Sequence, residues 1–206
     1  MHLSEKERTS LAELLTRTAD NHALYAVLTV ADGFSDISES ADYSSQPGYR
    51  LIRVNHRLEE DRVKEFEIAL LDDSQASIAY YAKINLLSIP EISSRLIAQH
   101  RVWRSASIRH SAALRDISRT VLFSYLVQDY DVLLAEDSIT GDGRFYWSRQ
   151  VSRAIELDLR VYDLTTQTIQ AISTQQALNR VQDQAWSGVS PKIARALIST
   201  HPLHGN

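Results

Sequence analysis

The sequence contains no cysteine, so a disulfide framework, a thiolate zinc site and a cysteine nucleophile are excluded. Its 206 residues include only 6 glycines and 4 prolines, too few for a collagenous or low-complexity chain. No apolar run approaches the ~18 residues of a membrane span. The longest candidates, such as Val132-Leu133-Leu134-Ala135, are strand-sized. The first residues, Met1-His2-Leu3-Ser4-Glu5-Lys6, lack the apolar core of a signal peptide. Charge of one sign is missing too. Lys and Arg number 22 against 26 Asp and Glu, a net −4, which does not favour nucleic acid as a partner. There is no G-x-S-x-G elbow, no G-x-x-x-x-G-K loop and no H-E-x-x-H pair. His201 and His204 flank Pro202 and are not read as a metal site, and Glu59-Glu60-Asp61 reads as a solvated charge run. What remains is ordinary globular composition, 44% hydrophobic and 23% charged, and the expectation of a soluble cytoplasmic protein with no membrane segment.

Periodicity then orders the chain. Ser4 and Glu7 make a capping-box pattern ahead of Leu11, Leu14 and Leu15, which predicts a helix ending at Asn21-His22. Leu24 to Val30 is rich in strand formers. Residues 31–48 carry Asp32, Asp36, Glu39 and Asp42 without a Lys or Arg, which predicts a long acidic loop. Strands are expected at 49–54, 65–71 and 76–86, the last two forming a hairpin across Asp72-Asp73-Ser74. A short helix at 91–98 precedes a strand alternating over 102–109. From Ser111 the spacing of Leu114, Ile117, Val121, Leu122, Tyr125 and Leu126 is helical.

Tyr130 to Ala135 has the unbroken apolar run of a parallel strand covered on both faces. Trp147, Val151, Ala154 and Ile155 mark a second helix, with Trp147 on its core side. Strands at 157–164 and 168–173 pair across a turn. The tail reads as two helices, 174–185 and 191–199, the latter opened by Ser190-Pro191. The fold class is α/β (α+β): a mixed, mostly antiparallel central sheet flanked by helices, with extra N- and C-terminal helices, in one domain over 1–206.

The most informative stretch runs from Trp103 to Asp137, where a strand leads through a polar turn into an amphipathic helix and a buried strand. Arg101, Arg104, Arg109, Arg115 and Arg119 stand there against Asp116 alone up to residue 119, a positive excess inside a net-acidic chain. Free N–H groups at a helix start would add to its attraction for an anion. Arg115-Asp116-Ile117-Ser118-Arg119-Thr120 resembles the Arg/Gln-x-x-Gly-x-Gly/Ala loop of the GNAT N-acyltransferase superfamily, with Ser118 and Thr120 at the glycine positions. The order of elements from Glu65 to Ser173, about half the chain, is also similar to that family's. It runs antiparallel strands, the cofactor helix, a parallel strand splaying from its neighbour, a second helix and a closing strand pair.

The resemblance implies acetyl-CoA or another acyl-CoA as cosubstrate, its pyrophosphate cradled by the loop. The contacts implied are Ser107, Ile108, Arg109, Arg115, Ser118, Arg119 and Thr120. It implies direct attack of an amine on the thioester, with a base for the amine and an acid for the thiolate. Tyr146, early in the second helix, is the implied acid. Sites of open α/β sheets gather beyond the carboxyl ends of parallel strands, which nominates Asp137 or Glu136 as base. His110 is the rival, with a pKa suited to neutral pH. The acidic stretch suits a cationic amine acceptor, small molecule or protein, and a homodimer is compatible with all of this. Two other readings stay open: an inactive binding or regulatory module on the same scaffold, because both loop glycines are replaced, and a DNA base-modifying enzyme of the Mom type found in phages.

Overall fold

The computed structural model describes residues 15–44, 46–55, 57, 64–135, 141–165, 169–186 and 193–203. Those residues form a mixed α/β chain with nine strands, mostly antiparallel, and four helices. The chain divides into two compact units: Met1–Leu86 with His100–Val121, and Leu87–Gln99 with Leu122–Asn206.

In the first unit, helix α1 (Thr18–Thr29) stands where strand formers predict a strand at 24–30. Leu24, Tyr25 and Leu28 pack with Ile52, Val54, Ala69, Leu71, Ile78 and Tyr81. Only a helix turns positions i, i+1 and i+4 to one side, so tertiary packing overrides the local preference. Asn21, expected to end the helix, sits inside it and is buried. Its amide donates to the carbonyls of Leu15 (3.0 Å) and Ile78 (3.1 Å), and its Oδ1 accepts from the Ile78 N–H at 2.7 Å. The capping box at Ser4 and Glu7 lies outside the described residues.

The acidic stretch is built rather than open. Strand β1 (Phe34–Asp36) pairs antiparallel with β2 (Tyr49–Asn55), and Ile37 and Ala41 are buried. The Ile37 N–H donates to the Leu51 carbonyl at 2.8 Å, so the stretch is folded back on β2. Gly33 makes the entry to β1: its φ is +77, and a Cβ there would lie 3.0 Å from the Asn55 carbonyl oxygen.

Strand β3 (Lys64–Asp72) pairs antiparallel with β4 (Ser77–Leu87), the predicted hairpin, and on its other side with β2. Both of its faces are buried, however, including the one that carries Glu67. Arg57 Nε and Nη2 grip the two Glu67 oxygens at 2.7 and 2.5 Å, and the Tyr81 hydroxyl donates to the same carboxylate at 2.5 Å. A charge inside a doubly covered strand persists because it is fully paired. Burial, reinforced by Glu67, pushes the Tyr81 hydroxyl far above its usual range.

Strand β5 (Ile97–Arg104) starts and stops earlier than predicted. The helix expected at 91–98 is instead a turn in which the Ile92 and Ser93 N–H groups donate to the Ile89 carbonyl. The following helix, α2, is α-helical over Ile117–Arg119, π-helical over Thr120–Leu126 and α-helical again over Val127–Asp129.

In the second unit, β6 (Asp131–Ala135) pairs parallel with β5, Ile97–Gln99 against Asp131–Leu133, as its unbroken apolar run predicts. Then come α3 (Gly141–Glu156), β7 (Arg160–Asp163), β8 (Gln170–Ala171), α4 (Gln175–Trp186) and β9 (Arg195–Ser199). Strand β9 replaces the helix predicted at 191–199 and lies antiparallel between β6 and β7, so the order is β5-β6-β9-β7-β8. Ala196 to Ser199 are all buried, as a strand with neighbours on both sides requires. A short apolar run suits a central strand and a buried helix equally well, which is why periodicity misassigned it. Ser190-Pro191 lies outside the described residues. Ile97, Tyr162, Leu197 and Leu203 form the unit's apolar cluster.

One polar network ties this unit together. Asp131 is fully buried and accepts from Ser199 Oγ at 2.7 Å and from Arg95 Nη1 at 3.3 Å. The same guanidinium donates to the carbonyls of Val127 (3.1 Å) and Gln128 (2.6 Å), at the end of α2, and to Thr200 Oγ1 (2.8 Å). No helix among the described residues is long and apolar enough to cross a membrane.

Candidate functional site

The segment between β5 and α2 carries most of the sequence-nominated contacts, and all of them fall in the first unit. It is a chain of turns whose backbone satisfies itself. Ser105 N–H donates to the Ala79 carbonyl of β4 at 2.9 Å, and Ser107 N–H to Ser105 Oγ at 3.2 Å. A 3-10 turn covers Ile108–His110, and Ser111 Oγ donates to the Ile108 carbonyl. The N–H groups of Leu114, Arg115 and Ile117 donate in turn to His110, Ala112 and Leu114. These turns delay the helix from Ser111, where periodicity places it, to Ile117. They also put Ser107, Ile108 and Arg109 beyond the strand rather than at its end.

Residue Asp116 sits at the hinge between the turns and α2 with φ 58, in the left-handed region that Asp tolerates better than most. Thr120 N–H donates to the Asp116 carbonyl at 3.0 Å, whereas the Ser118 and Arg119 N–H groups find no acceptor among the described residues. Arg109, Arg115 and Arg119 are exposed, Ser118 and Thr120 half-buried, and Ile108 projects into solvent at 90% exposure. The turn thus offers two N–H groups, two hydroxyls and three guanidinium groups in one short segment.

Two tyrosines from residues 31–55 clamp this segment. The Tyr43 hydroxyl donates to the Ala113 carbonyl at 3.1 Å, and burial pushes its pKa up to about 12. The Tyr49 hydroxyl lies 3.0 Å from His110 Nδ1 and 3.4 Å from Asp72 Oδ2. His110 and Asp72 are both buried, with Nδ1 and Oδ2 3.8 Å apart. Burial pushes the His110 pKa below its ordinary value; Asp72 opposes that and Arg109 adds to it. Tyr49 is pushed upward by burial and by Asp72. Sequence reasoning missed Tyr49 and Asp72. The β2–β3 register sets Tyr49 directly across from Asp72, a pairing that no signal in the sequence carried.

The other nominated residues belong elsewhere. Tyr146 is half-buried on α3, in the second unit. Trp147 is 1% exposed and meets Trp186 edge-on at 6.2 Å, so its core role is as expected. Asp137 and Glu136 lie outside the described residues, as do Glu59-Glu60-Asp61 and His204. Among the described residues no cluster of three or more His, Asp or Glu side chains could hold a metal ion. No protein-family model, curated protein or solved structure matches the chain.

Proposed function

We propose that this protein is a GNAT-like N-acyltransferase that transfers an acyl group from acetyl-CoA or a related acyl-CoA to an amine. The observation that carries the reading is the connectivity around β5 and β6. Strand β5 leads through the arginine-bearing turn and α2 to a parallel partner, and α3, β7 and the antiparallel β9 follow. Parallel neighbours need such a crossover, and its entry turn is where a helix start meets a ligand phosphate.

The opening turn of α2 would hold the pyrophosphate. Ser118 and Arg119 supply N–H groups, Ser118 and Thr120 hydroxyls, and Arg109, Arg115 and Arg119 charge. Serine and threonine in place of glycine keep the donors and give up some backbone approach. The Asp116 carboxylate makes no capping hydrogen bond and works against an anion. Its replacement by Asn keeps a side chain suited to a positive φ and removes the charge. Asp36, Glu39 and Asp42 would attract a cationic amine by charge.

Thermal unfolding in acetyl-CoA tests the proposal. A ligand bound only to the native state adds about 2.7 kcal/mol at a hundredfold excess over its Kd. We expect a rise in Tm that Arg115→Ala abolishes and Asp116→Asn enlarges. No rise at millimolar acetyl-CoA would overturn the function. A rise without turnover on any amine would leave the binding-module reading, which the Asp116 carboxylate favours.

A further inference from the structure

We infer that Asp72 and Tyr49 form a proton relay that holds His110 in one tautomer, with its Nε2 lone pair available, and that His110 is the base of the proposed acyl transfer. The catalytic role rests on that proposed function; the relay does not.

The positions of the protons follow from the charge that the hydroxyl faces. Tyr49 has one hydroxyl proton to give, and its oxygen lies 3.0 Å from His110 Nδ1 and 3.4 Å from Asp72 Oδ2. Given to Nδ1, that proton would leave hydroxyl lone pairs facing the carboxylate with nothing between them. Given to Asp72, it frees those lone pairs to accept a proton from Nδ1, and both bond dipoles then point their positive ends at the carboxylate. The second arrangement is favoured, and more strongly because screening is weak where side-chain exposure is 6% for His110 and 2% for Asp72. The carboxylate is itself fixed, since Oδ1 accepts from Ser74 N–H at 3.1 Å and Ser74 Oγ at 2.6 Å. The rings of Tyr49 and His110 meet edge-on at 89°, a packing that fixes the orientation of the imidazole. A proton on Nδ1 leaves Nε2 as the acceptor.

The charged and titratable groups facing the ring are Asp72 from β3, Tyr49 from β2 and Arg109 from its own turn. Burial outweighs Asp72, so the ring is neutral at neutral pH and able to take a proton. In the transfer, the ammonium gives its proton to Nε2 and the freed amine nitrogen bonds to the thioester carbonyl carbon. The C–S bond breaks, and the CoA thiolate takes the second proton that the attacking nitrogen sheds, leaving a neutral amide, CoA thiol and the imidazolium. The imidazolium keeps its Nδ1 proton on Tyr49, across from Asp72. Tyr49 and Asp72 are therefore positioning residues.

Long-range 1H–15N NMR of the full chain reads the tautomer directly. Wild type should show the proton on His110 Nδ1. Tyr49→Phe, a conservative change, should give a mixture of tautomers. Asp72→Asn should lower the ring pKa by about one unit, the size expected when a neighbouring opposite charge is lost. An Nε2-protonated ring in wild type, or a ring pKa that ignores Asp72→Asn, overturns the relay. When turnover is measured, the acid limb of kcat/KM should follow the ring pKa downward in Asp72→Asn. The expected tautomer in a protein whose Tm ignores acetyl-CoA overturns the base assignment and leaves the relay standing.

Discussion

Asp72 and Asp131 are both buried aspartates at the end of a strand, one in each unit, and they meet different partners. Asp72 closes β3 and faces a hydroxyl and an imidazole, groups that gain and lose protons near neutrality or pass them on. Asp131 opens β6 and faces a hydroxyl and a guanidinium, which does not titrate in a protein. Its Oδ2 finds no hydrogen-bond partner among the described residues. Arg95 spends its remaining donors on the carbonyls that end α2 and on Thr200 Oγ1. One carboxylate thus ends a path for a proton and the other anchors a fixed strut. The buried charge is the same in both; the permanence of the partner's charge decides which role it has.

The largest effect should come from cutting the strut. Arg95→Ala leaves the Asp131 charge buried without its cation and strips two carbonyls of a donor. A loss of about 3–5 kcal/mol in urea unfolding is expected for breaking a buried pair from one side. A loss below about 1 kcal/mol would mean that Asp131 does not need the cation, and the contrast with Asp72 would go.

A smaller, pH-dependent effect belongs to the relay. The folded His110 pKa lies below its ordinary value, so between the two the unfolded chain binds more protons. Stability from this group is therefore complete above the ordinary histidine pKa and is lost as pH falls toward the folded one. The stability difference between wild type and His110→Gln should shrink on acidification through that window. Tyr49→Phe should cost about 2 kcal/mol, because its hydroxyl bonds both a carboxylate and the imidazole, measured at pH 7.5.

The smallest effect is expected at the surface. Arg50 holds Asp73 through two hydrogen bonds, 2.5 and 2.9 Å, with side chains 38% and 31% exposed. The Arg50 guanidinium keeps the Asp73 carboxyl below its usual range, so this contribution is present at neutral pH and lost in acid. Arg50→Ala should cost under about 1 kcal/mol at pH 7 and less with added salt. A cost equal to that of Arg95→Ala would show that burial is not what separates the networks.

Much of the first unit was legible in the chain. Strands β2, β3 and β4 carry alternating side chains with a turn sequence between the last two, and they formed where expected. The arginines before α2 were legible as charge. Two segments were not. Leu24 to Thr29 and Arg195 to Ser199 are short apolar runs whose type depends on what covers them, and each took the opposite form to its local preference. The acidic stretch misled for a different reason. Composition predicted a solvated loop, whereas Ile37, Ala41 and Tyr43 within it make the contacts that fold it down.

By itself the sequence excluded thiol chemistry and placed the β3–β4 hairpin, because both follow from residue identity and near neighbours. The turn before α2 was likewise recognisable as basic. Only the tertiary structure decided that Tyr49 reaches His110, 61 positions away, and that Asp72 stands behind them both. The reason is physical: a side chain's proton affinity and role depend on what burial brings against it, and separation along the chain carries no record of that.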